Sequence, residues 1–269
     1  MSLDLAFESI GTGPPLLILH GLFGSGTNWR GIARGLAATH RVLTVDLRNH
    51  GASPWADSMS YFEMADDVQR LIGREGLRQP AVMGHSMGGK VAMALALLHP
   101  QCVGRLVVVD IAPVAYADRL SPFAEAMRGI DMLAAASRSE VQQRLSETVP
   151  DTGVVPFLMQ NLVMRNAHLD WRINLASIAA SIGALSDFPL ELHSLRFAGP
   201  LQVIAGGRSD YVAHRDGSDF RPMFARPQVD VIEQAGHWLH ADAPQQFLAS
   251  ARRALGVESA RDIPTADAA

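Results

Sequence analysis

The chain holds one cysteine, Cys102, so no intrachain disulfide can form, and a reducing, cytoplasmic setting is expected. Cys102 lies in an apolar segment and reads as a buried, inert thiol. No basic run occurs and the formal net charge is −4, which argues against a nucleic-acid partner. The longest apolar runs, such as Val91 to Leu98, fall far short of the roughly 20 residues a membrane helix needs. The N-terminus, Met1 to Glu8, lacks a basic region followed by an apolar stretch, so no secretory signal is expected. No Cys or His cluster has metal-ligand spacing, and no P-loop or dinucleotide fingerprint follows a strand, so neither metal nor cofactor is expected. What is left is 269 residues, 48% apolar, without internal repeats: a comfortable size for one α/β core with an insertion.

Against that background Gly84-His85-Ser86-Met87-Gly88 stands out. It reads G-x-S-x-G, follows the apolar run Ala81-Val82-Met83, and leads into a helix-compatible stretch, Lys90 to Leu98. Strand, sharp turn and helix is the context of a nucleophile elbow; the pentapeptide alone also occurs in Gly-rich loops. The turn would strain the Ser86 backbone and demand small residues two before and two after it, which Gly84 and Gly88 supply. Its hydroxyl would stand beside a helix N-terminus, whose dipole favours developing negative charge.

Two further segments fit the same chemistry. His20-Gly21-Leu22-Phe23-Gly24 follows the strand-like run Leu16 to Leu19. By itself it is an ordinary glycine turn; beside an elbow it supplies the second oxyanion donor. The backbone N–H groups of Leu22 and Met87 would then hold the oxyanion. Gly236-His237-Trp238 follows the alternating run Val229 to Ile232, so serine comes first and histidine last. His237 is the expected base; His240 is the weaker candidate, and His85 reads as structural. The acid stays open between two aspartates. Asp110 ends the run Arg105 to Val109; Asp210 follows the strand Leu201 to Ile204 and its Gly206-Gly207 turn. Each is equally readable as a loop carboxylate capping N–H groups.

Strand-like and helix-like segments alternate over residues 15–113, with strands at 16–20, 41–46, 81–85 and 105–110 and helices at 28–38, 62–75 and 89–98. This predicts a mostly parallel central sheet flanked by helices, with residues 3–9 as an antiparallel entry strand. Residues 114–190 read as helices without strands: 123–136, 139–147, 155–165 and 175–185. Alternation resumes at 201–205, 229–233 and 244–254. The expected organisation is therefore a core of 1–113 and 191–256, a helical cap of 114–190, and a flexible tail of 257–269. Leu120, Phe123, Met127, Leu158, Met159 and Leu162 are candidates to line a pocket under the cap, although each taken singly reads more readily as cap core.

Over about residues 3–255 the chain resembles the α/β-hydrolase superfamily, and its wording resembles the bacterial acyl-ester hydrolases related to abhydrolase-domain-containing protein eleven. The resemblance is carried by His20 to Ser25, Val45 to Pro54, Gly84 to Met93, Val109 to Pro113, Trp171 to Leu175 and Gly236 to Ala241. It implies a triad of Ser86, His237 and Asp110, and favours Asp110 over Asp210. Some relatives carry an acid just after the Trp-Arg-x-Asn-Leu segment; Ala176 stands there in this chain. The implied activity is hydrolysis of short acyl esters, with acyl-CoA thioesters as a further class. A serine at the elbow excludes the aspartyl chemistry of dehalogenases and epoxide hydrolases. Cofactor-free perhydrolases and C–C hydrolases also use this triad, and certain receptors keep the fold as binding modules. Arg48, Asn49 and His50 match the family, with a role left open between catalysis and fixing a loop.

Overall fold

The computed structural model describes residues 1–149, 151 and 153–257. Seven strands form the main sheet: β1 (Phe7–Ile10), β2 (Pro15–Leu19), β3 (Arg41–Val45), β4 (Ala81–His85), β5 (Arg105–Val109), and two later strands at Leu201–Gly206 and Gln228–Ile232. An antiparallel hairpin of β6 (Leu162–Arg165) and β7 (His168–Trp171) precedes those two, which are therefore β8 and β9. The main order is β1-β3-β2-β4-β5-β8-β9, with every pairing parallel except β1 on β3. The central strands are buried on both faces, which is why they appear in the sequence as unbroken apolar runs.

The core helices are α1 (Arg30–Leu36), α2 (Tyr61–Arg74) and α3 (Met87–Leu98), and between β5 and β8 come α4 (Ser121–Arg128), α5 (Arg138–Thr148), α6 (Val155–Leu158) and α7 (Leu175–Ser186). Two more, α8 (Leu239–Asp242) and α9 (Pro244–Ala254), end the described chain. The helix α2 begins in a capping box, with Ser60 Oγ accepting from Glu63 N–H and the Glu63 carboxylate accepting from Ser60 N–H. Apart from Lys90 the α3 surface is apolar all round, as suits a helix enclosed by sheet and neighbours: every residue from Met87 to Leu97 is buried.

The structure corrects two elements. The helix expected over 123–136 stops at Arg128, the end of α4. Instead of a helix over 155–165, α6 stops at Leu158 and the chain enters the β6–β7 hairpin. Its two-residue turn is Asn166-Ala167, with φ of 49° and 64°, the left-handed pair that matches hairpin twist. The segment between β5 and β8 is thus helical with one hairpin, not helical throughout. The flexible tail expected at 257–269 lies outside the described residues except for Val257.

Candidate active site

Ser86 links β4 to α3 with φ 53° and ψ −122°, a backbone conformation that costs about 1–3 kcal/mol for a residue with a Cβ. Three contacts hold it: its N–H donates to Val109 O, and its carbonyl accepts from Gly89 and Lys90 N–H. The two flanking glycines are steric necessities. A Cβ on Gly84 would stand 2.1 Å from Gly88 O, and one on Gly88 2.5 Å from both His20 O and Leu19 O. All these are backbone atoms, which cannot step aside.

His237 lies in the loop between β9 and α8 and is held on four sides. Its Nδ1 is 2.7 Å from Asp110 Oδ2, and its carbonyl accepts from His85 Nε2 at 2.8 Å. The ring stacks on Tyr211 at 4.1 Å and meets Trp238 edge-on at 5.9 Å. A carboxylate only accepts, so the Nδ1 carries the proton and Nε2 is the free, basic nitrogen.

Asp110 follows β5, is fully buried, and has φ 51°. Its Oδ1 accepts from Gly206 N–H at 2.8 Å, and its Oδ2 accepts from Ser209 Oγ as well as from His237. The Arg215 guanidinium steadies the donors' loop by donating to Gly206 O and Ser209 O. Asp210 is elsewhere: it is mostly exposed and pairs with Arg119, whose guanidinium holds its carboxyl below the usual range. Of the two candidate acids, only Asp110 reaches His237. Ser209, one residue before the other candidate, contributes in its place, and no local sequence signal marks it.

The loop after β2 carries Leu22. Among the described residues, the Leu22 and Met87 N–H groups have no hydrogen-bond acceptor, whereas Phe23 N–H donates to His50 Nε2 and Gly24 N–H to Gly21 O. Two buried histidines fix this loop. His20 Nε2 accepts from Leu47 N–H, so its Nδ1 donates to Gly21 O; His50 Nε2 accepts from Phe23 N–H, so its Nδ1 donates to Arg48 O. Burial pushes His20 down to about 4 and His50 to about 3, keeping both neutral, as this pattern of donors requires.

Arg48, Asn49 and His50 therefore fix loops by hydrogen bonds. Arg48 is buried in a two-pronged ion pair with Asp67, at 2.7 and 3.0 Å, and reaches Glu63 at 2.9 Å. Asn49 joins the core to α7: Asn174 N–H donates to its carbonyl, and its side chain bonds Ser177, Asn174 and Ala56.

Ser86, Leu22 and His237 line one cavity of about 200 Å³. Leu120 and Phe123 border it as expected, with Val154, Phe157, Trp29 and Trp238 completing an apolar wall. Met127, Leu158, Met159 and Leu162 do not; they are buried in the hydrophobic core. His240 also borders the cavity, but its ring stacks on Trp29 at 4.2 Å and burial drives it down to about 4. Among the described residues, no group of three or more acidic, His or Cys side chains is arranged to hold a metal, and no helix is long and apolar enough to cross a membrane.

Residues 14–244 match the family model described as alpha/beta hydrolase fold. The sn-1-specific diacylglycerol lipase ABHD11 of Mus musculus is 39% identical over 87% of this chain and 78% of its own length. Esterase YbfF of Escherichia coli K12 is 33% identical, covering 90% of this chain and 92% of its own. Among solved structures, a marine microorganism esterase superposes with a TM-score of 0.89 at 35% identity, over 94% of this chain and 99% of that one.

Proposed function

This chain belongs to the α/β-hydrolase fold family, and from that membership we propose that it is a serine hydrolase of carboxylic esters acting through an acyl-enzyme on Ser86. The observation that carries the proposal is the convergence at one cavity of a strained elbow serine and a histidine whose far nitrogen is fixed by a buried carboxylate. The names of the relatives, an esterase and a lipase, agree in reaction class. Short acyl esters are the proposed substrates, with acyl-CoA thioesters as a second class open to the same intermediate.

In this reading Ser86 Oγ attacks the acyl carbonyl while His237 Nε2 takes its proton. Asp110 holds the ring in the tautomer that leaves Nε2 basic and stabilises the imidazolium that forms. The negative oxygen lands between the Leu22 and Met87 N–H groups, at the N-terminus of α3. Collapse of the intermediate expels the alcohol with the proton from His237. Water, activated by the same nitrogen, then frees the acid and restores the serine. Residues 114–190 serve as a cap that keeps bulk water from the intermediate, with Leu120, Phe123, Val154 and Phe157 as its apolar lining. The single cysteine accords with the cytoplasm as the place of work.

Hydrolysis of p-nitrophenyl esters, from acetate to palmitate, by the wild type and Ser86→Ala tests the proposal. The expected result is turnover in the wild type that vanishes in a variant with unchanged circular dichroism. Turnover near wild type in Ser86→Ala would refute it.

A further inference from the structure

Two cavities meet at Ser86, and they differ in what they can reach. The larger, about 200 Å³, is bordered by His237 and Trp238. The smaller, about 30 Å³, is bordered by Met87, Lys90, Ile111, Tyr116, Ala117 and Leu185, none of which borders the larger. His237 lines only the first of the two.

A tetrahedral intermediate on Ser86 carries three groups besides the serine oxygen. The oxyanion takes the Leu22 and Met87 N–H groups. The leaving oxygen must lie within hydrogen-bond reach of the nitrogen that returns its proton, so it is bound to the His237 side. The acyl chain is left with the remaining direction. We propose that the small cavity is the acyl subsite and the large one the alcohol subsite, and that the enzyme selects straight acyl chains of about three to four carbons. This assignment rests on the acyl-enzyme reading above. The length follows from the volume: about 30 Å³ holds roughly two or three water-sized groups beyond the carbonyl carbon. The large cavity holds on the order of fifteen.

The wall of the small cavity is braced, which makes the cut-off sharp. Lys90 Nζ donates to Ser186 O at 3.0 Å and Asp187 O at 2.8 Å, and lies 4.8 Å from the Tyr116 ring centre. Tyr61 Oη donates to Leu185 O at 2.6 Å, and Tyr116 Oη to Tyr211 O at 2.5 Å. A longer chain therefore meets tethered side chains rather than free ones. It would also press against an amine already removed from water.

The test varies the two halves of the ester separately. With p-nitrophenol fixed and the acyl chain grown from two to ten carbons, kcat/KM should peak at three to four carbons and fall at least ten-fold by eight. With acetate fixed and the alcohol grown from methanol to decanol, no such fall should appear. Ala117→Leu, placed in an exposed loop where folding is not at stake, should lower the butanoate-to-acetate ratio of kcat/KM at least ten-fold. Leu185→Ala should move the optimum to longer acyl chains. A flat acyl profile, or a ratio that Ala117→Leu leaves unchanged while esters are still cleaved, would overturn the assignment alone. No turnover on any ester would remove the acyl-enzyme reading and the assignment with it.

Discussion

Replacing Asp110 by Asn removes one charge and leaves the shape, so its cost can be worked out from the three hydrogen bonds around the carboxylate. Oδ1 accepts from Gly206 N–H, while Oδ2 accepts from Ser209 and His237. An amide has one accepting end and one donating end. If its oxygen faces Gly206, its NH₂ faces His237 Nδ1. That nitrogen must then accept, the proton moves to Nε2, and the ring can no longer deprotonate Ser86. If the amide turns round, NH₂ meets the Gly206 N–H in a fully buried site, a donor facing a donor. The first orientation is therefore favoured, and it holds the wrong tautomer. The expected loss in kcat is about 10⁴-fold, or about 5.5 kcal/mol at about 1.36 kcal/mol per decade. Asp210→Asn breaks only an exposed pair with Arg119, with side chains 66% and 58% exposed. Such pairs contribute about 0–1 kcal/mol, so kcat should stay within about three-fold. The assay is p-nitrophenyl butanoate hydrolysis, with melting curves to show that both variants fold. An Asp110→Asn enzyme keeping more than a tenth of wild-type kcat, or an equal loss in Asp210→Asn, would refute the reasoning.

Two further outcomes follow from the loops around the site. Ser86→Gly and Ser86→Ala should both be inactive, but only glycine relieves the left-handed backbone at φ 53°. Relief of about 1–3 kcal/mol, less roughly 0.5–1 kcal/mol for glycine's extra freedom when unfolded, should raise its melting temperature above that of Ser86→Ala by a few degrees; an equal or lower value would count against strain at the elbow. Acid should destabilise the fold through its buried neutral histidines. As pH falls through 6.5 the unfolded chain takes up protons, while folded His20 waits until about 4 and His50 until about 3. Stability present at neutral pH is thus lost between about 6.5 and 3. Urea midpoints measured from pH 7.5 to 4.5 should drop steeply in the wild type and less in His50→Gln, and a wild-type midpoint constant over that range would contradict the buried-neutral assignment.

The parallel strands and core helices were legible because strands buried on both faces leave continuous apolar runs, and each was located to within one or two residues; the exposed antiparallel edge strand β1, expected at 3–9, begins four residues later, at Phe7. The β6–β7 hairpin was not legible: its turn, Asn166-Ala167, lacks the glycine that usually announces one, and Leu158, Met159 and Leu162 mimic a helical stripe. The same ambiguity explains the pocket candidates between β5 and β8. Spacing shows that a side chain faces inward, but not whether it meets other side chains or a cavity; Phe123 meets the cavity and Met127 does not. Choosing between Asp110 and Asp210 lay beyond local pattern, since both follow strands, and those strands, β5 and β8, are neighbours. The family resemblance favours Asp110, and three-dimensional placement then separates a carboxylate turned inward on His237 from one turned outward on Arg119. Arg48 was opaque for a similar reason: its partner Asp67 sits 19 residues away, on α2.

The bonds around Asn49 have a consequence for chimeras. Asn174 N–H on the Asn49 carbonyl, Asn174 on Ala56 O and Trp55 Nε1 on Arg172 O join two segments more than a hundred residues apart. The words Val45 to Pro54 and Trp171 to Leu175 are in effect two halves of one joint. The segment between β5 and β8, exchanged between relatives as a cassette, would carry one half and leave the other behind, so the loop at 48–56 is the piece that should travel with it.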